Sequence, residues 1–342
     1  MPKVRLGGIK AFEKRAYLTA LWRSGGDVLE DMCLRLASDR INLNLLTHIA
    51  GSGGLQSITA ACTEDAEGFS RFVHWKVNRG ECDIGKLLSD VSIISVFPHD
   101  QKLNVTGALM HAFASGDIRP YGFASSPSAI TMLVSSSDFE AVIYGLFDAF
   151  EFPTYSSPLD WHAAYRGQEE LLSEIVCSYQ EDLIKVYNLT HHNDLDLLNT
   201  SFPPNRLADF GAALFQLDEL HLRIPFLVSK PSLDGRSLIF AFCLSSAYRG
   251  TVMGVLEQNL PGLDLRCHGP VSVFFLHGPH FGDRYGIANT LVRSLSLAGI
   301  SPLALSCTVS SISVVIEGDS IDAAIEALKT SFHIPAIKRY MH

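Results

Sequence analysis

Residues Val271 to Phe332 read VSVFFLHGPHFGDRYGIANTLVRSLSLAGISPLALSCTVSSISVVIEGDSIDAAIEALKTSF. Val271 to His277 is β-rich and alternating, and a Gly/Pro/Asp loop follows it. Ile287, Leu291, Leu295 and Ala298 then recur at helical spacing. Two further β-branched runs, Ile300 to Val309 and Ser311 to Ile316, precede a second helical face made of Ile321, Ala324, Ile325, Leu328 and Phe332. The predicted order is βαββα, with a last strand over Ile334 to Tyr340.

The same pattern occurs earlier in the chain. Val91-Ser92-Ile93-Ile94 matches Val271-Ser272-Val273-Phe274 at an offset of 180 residues, while Leu109 matches Leu291 and Ile118 matches Ile300 at 182. Phe139, Val142, Ile143, Leu146 and Phe150 lie under the five apolar positions of the last helix at that same offset. Five core positions in one register indicate an internal repeat. Ser137 and Glu140 form a capping-box pattern before the earlier helix.

A looser copy precedes each of these units. Strands are predicted at Arg15 to Trp22, Leu43 to Ala50 and Gln56 to Cys62, with helices on the Val28, Leu29, Met32, Cys33, Leu36 face and over Glu67 to Trp75. In the second half, strands are predicted at Leu195 to Phe202, His221 to Val228 and Ser237 to Leu244, and helices at Arg206 to Leu217 and Tyr248 to Gln258. Gly51 to Gly54 and Leu233-Asp234-Gly235 occupy matching hairpin turns. Pro153 to Pro158 breaks the chain, and a connecting helix is expected over Leu159 to Tyr179. Further short strands are read at Gly8 to Ala11 and Ile175 to Tyr179.

The stretch from Val271 resembles an ACT domain, specifically the ACT units in the regulatory region of aspartate kinases. The resemblance rests on Asp283-Arg284-Tyr285-Gly286-Ile287-Ala288, on Ala298-Gly299-Ile300, and on Ser306 to Ile316. It implies an α+β fold of ferredoxin-like βαββαβ units, here four units in two tandem pairs. The first pair spans 1–160, with units at about 8–85 and 90–153. The second spans 161–342, with units at about 175–262 and 269–342. It also implies a small-molecule effector, usually an amino acid. No kinase-type phosphate segment is recognisable, so a regulatory region without a kinase domain is expected.

An effector site needs backbone N–H groups for a carboxylate and an acceptor for an ammonium. A glycine loop entering a helix supplies the first, since first-turn amides lack intrahelical partners and lie at the positive end of the dipole. Gly286, Ile287 and Ala288 are candidates for that role, and Asp283 for the ammonium. Ser306, Thr308 and Val309 would line the facing strand. The plainer reading makes Asp283 a helix cap and Gly286 a turn residue. His280 is a secondary contact. Asp27 and Asn104 are secondary candidates in other units, where the loop differs in length and chemistry, so two of the four sites are expected to be degenerate.

The chain of 342 residues is 47% hydrophobic and 18% charged, enough to bury more than one core. A net charge of -9 offers no broad attraction for phosphate backbones, which argues against nucleic acid. Mean hydropathy is +0.18, yet polar residues interrupt every apolar run before membrane-spanning length. MPKVRLGGIK lacks the apolar region of a secretory signal, and the seven cysteines contain no CxxC pair. A cytoplasmic protein is expected.

His191-His192-Asn193-Asp194 reads as an exposed polar turn, because adjacent histidines on a strand point to opposite faces. No metal site, cofactor or catalytic motif is found, and no spacing demands a nucleophile and base. The expectation is therefore a non-enzymatic, amino-acid-binding regulatory protein that forms a homodimer through its sheets. Two rivals are a structural module with no effector, and a separate regulatory subunit of a biosynthetic kinase as partner enzyme.

Overall fold

Runs of alternating or β-branched residues extend, and runs with apolar residues every three to four positions coil. In the computed structural model, residues 3–22, 28–51, 57–77, 82–172, 183–278, 284–308 and 311–340 are described. Val4–Arg5 (β1) and Gly8–Trp22 (β2) lead to Val28–Ser38 (α1), Leu45–Ala50 (β3), Ser57–Thr63 (β4) and Ala66–Val77 (α2). Next come Cys82–Phe97 (β5), Leu103–Ser115 (α3), Gly122–Ser125 (β6), Ile130–Ser135 (β7), Phe139–Ala149 (α4) and Phe150–Glu151 (β8). Pro158–Leu172 (α5) follows. The later half contains Ile184–Lys185 (β9), Asn188–Phe202 (β10), Leu207–Glu219 (α6), Phe226–Pro231 (β11), Leu238–Ser245 (β12) and Arg249–Asn259 (α7). Leu265–His277 (β13), Ile287–Leu297 (α8), Ala304–Cys307 (β14), Ser311–Glu317 (β15), Ile321–Lys329 (α9), Phe332–His333 (β16) and Ile337–Arg339 (β17) complete it.

The chain is a mixed α/β protein. Its first half forms the strand order β6-β7-β5-β2-β4-β3, and its second half forms β14-β15-β13-β10-β12-β11. The two orders correspond strand for strand under the sequence repeat. They join edge to edge, where β3 pairs antiparallel with β14 (Ile49 opposite Ala304, Leu46 opposite Cys307) and β6 with β11 (Ala124 opposite Val228). Among the described residues the 13-stranded sheet is thereby closed into a ring, with β17 added beside the N-terminal part of β10.

Closure puts one apolar layer inside the ring and two outside it. Tyr17, Val91, Phe226, Val273 and Phe275 belong to the inner cluster. One outer cluster lies beneath α3, α4, α5, α6 and α7, and the other beneath α1, α2, α8 and α9. Strands covered on both faces need apolar residues on both, which accounts for the nearly unbroken VSVFFL of β13. The one polar residue of that run, Ser272, is buried with its hydroxyl donating to the Gly318 carbonyl at 3.3 Å.

Several expectations change for identifiable reasons. Gly8 to Ala11 and Arg15 to Trp22 form one strand, because register shifts against β5 at Phe12/Arg15 and Arg15/Tyr17 absorb the irregularity. His191 and His192 are buried in β10 and do not form an exposed turn. A bulge between His192 and Leu195 takes up the polar Asn193-Asp194, while His192 stacks on Tyr340 at 4.8 Å and meets Phe275 edge-on at 5.8 Å. The capping box at Ser137 is not made: Ser135 caps the 3-10 turn before α4, and its hydroxyl accepts from the Ser137 N–H. β11 begins at Phe226, later than predicted, since the chain from His221 still closes the end of α6.

The sheet edges on which side-by-side homodimerisation depended are consumed within the chain, because β3, β6, β11 and β14 pair with one another. Strand pairing between copies through those edges is thereby excluded. The expected hairpin turn at Gly51 to Gly54 and the strand at Ile175 to Tyr179 lie outside the described residues, the former from residue 52 onward. The other turn is present, with Gly235 at φ 68° and the Ser232 hydroxyl accepting from the Ser237 N–H at 3.0 Å. Among the described residues no helix is long and apolar enough to cross a membrane.

Candidate functional site

Where the two halves meet, their helices also meet. α1 lies against α8, and α3 against α6. The groove between α1 and α8 contains the part of the Asp283 to Ala288 stretch that is described. Gly286 caps α8 in the left-handed region, at φ 86°, where an L side chain is strained. Its carbonyl opens the helix by accepting from the Thr290 N–H at 2.9 Å and from the Thr290 hydroxyl at 3.1 Å. The Ile287 and Ala288 amides fall in the first turn, where no intrahelical acceptor exists.

These residues line a cavity of about 30 Å³, room for one or two waters. Cys33, Leu36, Ile41 and Ile312 give it an apolar floor, while Arg284, Asn289 and Thr308 give it a polar edge. The Asn289 Oδ1 atom is buried and has no hydrogen-bond partner among the described residues. An unmet buried acceptor is costly, so an incoming donor is favoured there. Thr308 is held by its own turn, its hydroxyl donating to the Ser311 carbonyl at 3.1 Å. Burial pushes the Cys307 thiol up to about 12, so it lines the wall as a neutral, unreactive group.

The arrangement suits a zwitterion. The first-turn amides of α8 can donate to a carboxylate, the Asn289 carbonyl oxygen can accept from an ammonium, and an apolar floor lies beside both. Asn289 and Arg284 were not singled out from sequence as ligand-facing residues. Asn289 lies one helical step past Ala288, and what marks it is the combination of an unsatisfied oxygen, a feature Asn104 and Asn199 share elsewhere, with a place at the cavity, visible only in three dimensions.

The remaining candidates divide between this cavity and other places. Gly286, Ile287, Ala288 and Thr308 come together at the cavity. Ser306 does not join them. On β14 the side chains of Leu305 and Cys307 pack into the helix-side cluster, so Ser306 shares the inner face with Ala304, beside Thr47 and Ser313 on the neighbouring strands. Asp283, Val309, His280 and Asp27 lie outside the described residues. Asn104 is at the other helix pair, in the first turn of α3, where its N–H donates to the Asp218 carboxylate of α6 at 3.2 Å. There α3 and α6 cross glycine to glycine: a Cβ at Gly107 would lie 3.0 Å from the Gly211 carbonyl oxygen, and one at Gly211 2.9 Å from that of Gly107.

No protein-family model matches the sequence, and no curated protein matches it. Solved structures do match. An aspartate kinase from Synechocystis aligns over 97% of this chain with a TM-score of 0.76 and 13% identity. The regulatory subunit of aspartate kinase from Thermus flavus aligns over 43% of this chain and 99% of its own, with a TM-score of 0.39 and 15% identity. An E. coli aspartokinase III, solved in complex with aspartate and ADP, aligns over 45% of this chain and 35% of its own, with a TM-score of 0.33 and 13% identity. The last two scores are too low to bear on the fold. At its level of identity the Synechocystis match speaks to the fold alone, and the chain spans 56% of that enzyme's length.

That match corrects the expectation of a regulatory region standing apart from a kinase, and with it the expectation of a non-catalytic protein. The structure that aligns over nearly the whole chain is an aspartate kinase, an enzyme, and not an isolated regulator. The physical reason is that a missing phosphate-segment motif excludes little. Phosphate can be held by helix N-termini and scattered side chains that no short pattern records.

Proposed function

We propose that the chain serves an enzyme of the aspartate kinase type, in which kinase activity answers to an amino acid bound in the α1–α8 groove. The observation that carries this reading is the conjunction at one cavity of a left-handed Gly286, first-turn amides of α8 and an unsatisfied buried Asn289 oxygen. The alignment with an aspartate kinase over 97% of the chain supports the enzymatic side of it. Asp283 and Val309, which adjoin the cavity residues in sequence, are proposed as further contacts. The fold is proposed to consist of four ferredoxin-like units in two tandem pairs, divided near residue 160, in a cytoplasmic protein.

A cavity of about 30 Å³ does not admit an amino acid unless α1 and α8 part. Binding is thereby linked to the spacing of two helices that belong to different halves. A ligand shifts that equilibrium only as far as it prefers the wider arrangement. The test is an assay of ATP-dependent phosphorylation of aspartate, run with and without each common amino acid, alongside calorimetry. Activity that changes with one amino acid is expected. Asn289→Leu should weaken binding of that amino acid about 10-fold or more, since it removes the ammonium acceptor. Absence of phosphorylation together with absence of binding heat would sink the reading.

A further inference from the structure

The two helix pairs are copies of one arrangement, and their residues can be matched through local geometry. α1 and α6 end alike: Arg40 has φ 55° and Ile41 donates to the Leu36 carbonyl, while His221 has φ 58° and Leu222 donates to the Leu217 carbonyl. Both features are 181 residues apart, as are the buried pairs Leu29/Phe210 and Cys33/Leu214. Under this match Asp218 corresponds to Ala37. Under the 182 offset of the partner helices, Asn104 corresponds to Gly286 and Gly107 to Asn289.

The contacts agree. Asp218 meets the Asn104 N–H at 3.2 Å, and a Cβ at Gly286 would have Ala37 Cβ as its neighbour at 3.8 Å. At the α3–α6 pair a carboxylate occupies the space in front of the helix N-terminus, and Arg223 of the same segment donates to the Asp100 carbonyl at 2.5 Å. At the α1–α8 pair the same position is bordered by Ala37, which stops at Cβ, and a cavity lies there. Asn289 further replaces a glycine of the tight crossing.

We infer that Asp218 is a built-in ligand: the α3–α6 junction is a second copy of the groove, in which the chain's own carboxylate takes the place of a bound one. The corresponding carboxylate position at α8 is the one a small carboxylic acid takes. The statement about α8 rests on the amino-acid reading above, and the statement about Asp218 does not. At α3 the Asn104 amide lies in the first turn, while at α8 the matched Gly286 is the N-cap, directly before the first-turn amides of Ile287 and Ala288; at both ends N–H groups without an intrahelical acceptor are satisfied by an oxygen from outside the helix.

The experiment uses the whole protein and sodium acetate as the probe, with sodium chloride at equal ionic strength as control. Asp218→Ala should lower Tm by about 2–5 °C, and acetate should restore part of that loss while leaving the wild type unmoved. Asp218→Asn, which keeps an acceptor oxygen, should melt near the wild type and ignore acetate. The reciprocal Ala37→Asp should raise Tm and abolish amino-acid binding at the groove. An Asp218→Ala protein that melts with the wild type, or that responds to chloride as it does to acetate, overturns the built-in ligand. If that variant does not fold, Ala37→Asp decides: a lowered Tm overturns the matched position. Loss of amino-acid binding by the wild-type groove would fail the functional reading alone, since the acetate arm reports on α3.

Discussion

His48 shows how far a single position is governed by its surroundings. It lies on β3 and is 5% exposed, and burial, aided by the nearby Lys230 charge, lowers its imidazole to about 3. An unfolded chain takes up that proton near pH ~6.5. Between the two values the folded protein binds fewer protons than the unfolded one, so the contribution is intact above about pH 6.5 and is lost as pH falls towards about 3. His48→Gln should therefore flatten the acid side of the stability curve. Denaturant midpoints at about pH 7 and about pH 4.5 should show the wild type losing roughly 2 kcal/mol more than the variant. Equal losses would assign the acid sensitivity to another group. Nothing local in LLTHIA announces this: the sequence places a histidine in a strand, and only the closed sheet buries it.

At the scale of elements, the crossing of α3 with α6 is decided by two glycines. Neither is at an unusual φ; their role is to let backbones touch. A methyl at Gly211 would meet the Gly107 oxygen and the His111 ring at 2.9 Å, and Met110 Cβ at 3.2 Å. Gly211→Ala should cost about 1–3 kcal/mol by overpacking, measured by urea denaturation. Gly250 on α7 has open space where a Cβ would stand, with no neighbour within 4 Å, so Gly250→Ala should be neutral or stabilising by up to about 1 kcal/mol. If Gly250→Ala costs as much as Gly211→Ala, the crossing does not explain the loss at Gly211, because alanine has the higher helix propensity at both positions. The helix faces themselves were legible from spacing: the predicted Leu29, Met32, Cys33, Leu36 face of α1 is buried, as is Phe139, Val142, Ile143, Leu146 of α4. Which helices pair was not legible, because the contacts α1–α8 and α3–α6 join residues more than a hundred positions apart.

For the whole molecule, the halves close one another. Each presents two sheet edges and one apolar inner face, and each covers those of the other through β3–β14, β6–β11 and the inner cluster. The half ending at residue 160, made alone, should expose both edges together with Tyr17, Val91 and Leu133. It is expected to aggregate or to pair with itself on size-exclusion chromatography, and to recover a monomeric form on mixing with the other half. A soluble, monomeric first half would show that the ring is not needed for folding. The same closure explains why the candidate groove spans both halves, with Ala37 from one and Gly286 from the other.

The sequence by itself determined the repeat, most of the longer strands and helices in their order, and the glycine that opens α8, because periodicity and turn chemistry act over neighbouring residues. It also pointed to Ile287, Ala288 and Thr308, which the structure gathers at one cavity. Only the tertiary structure decided that the sheet is a ring, that His191 and His192 are interior, and that Ser306 faces the inner layer away from the groove. It alone set Asp218 on the α3 amide and left Asn289 with an oxygen unmet among the described residues. The reason is physical: burial and hydrogen-bond satisfaction depend on what packs against a residue, and here the packing partner comes from the opposite half of the chain.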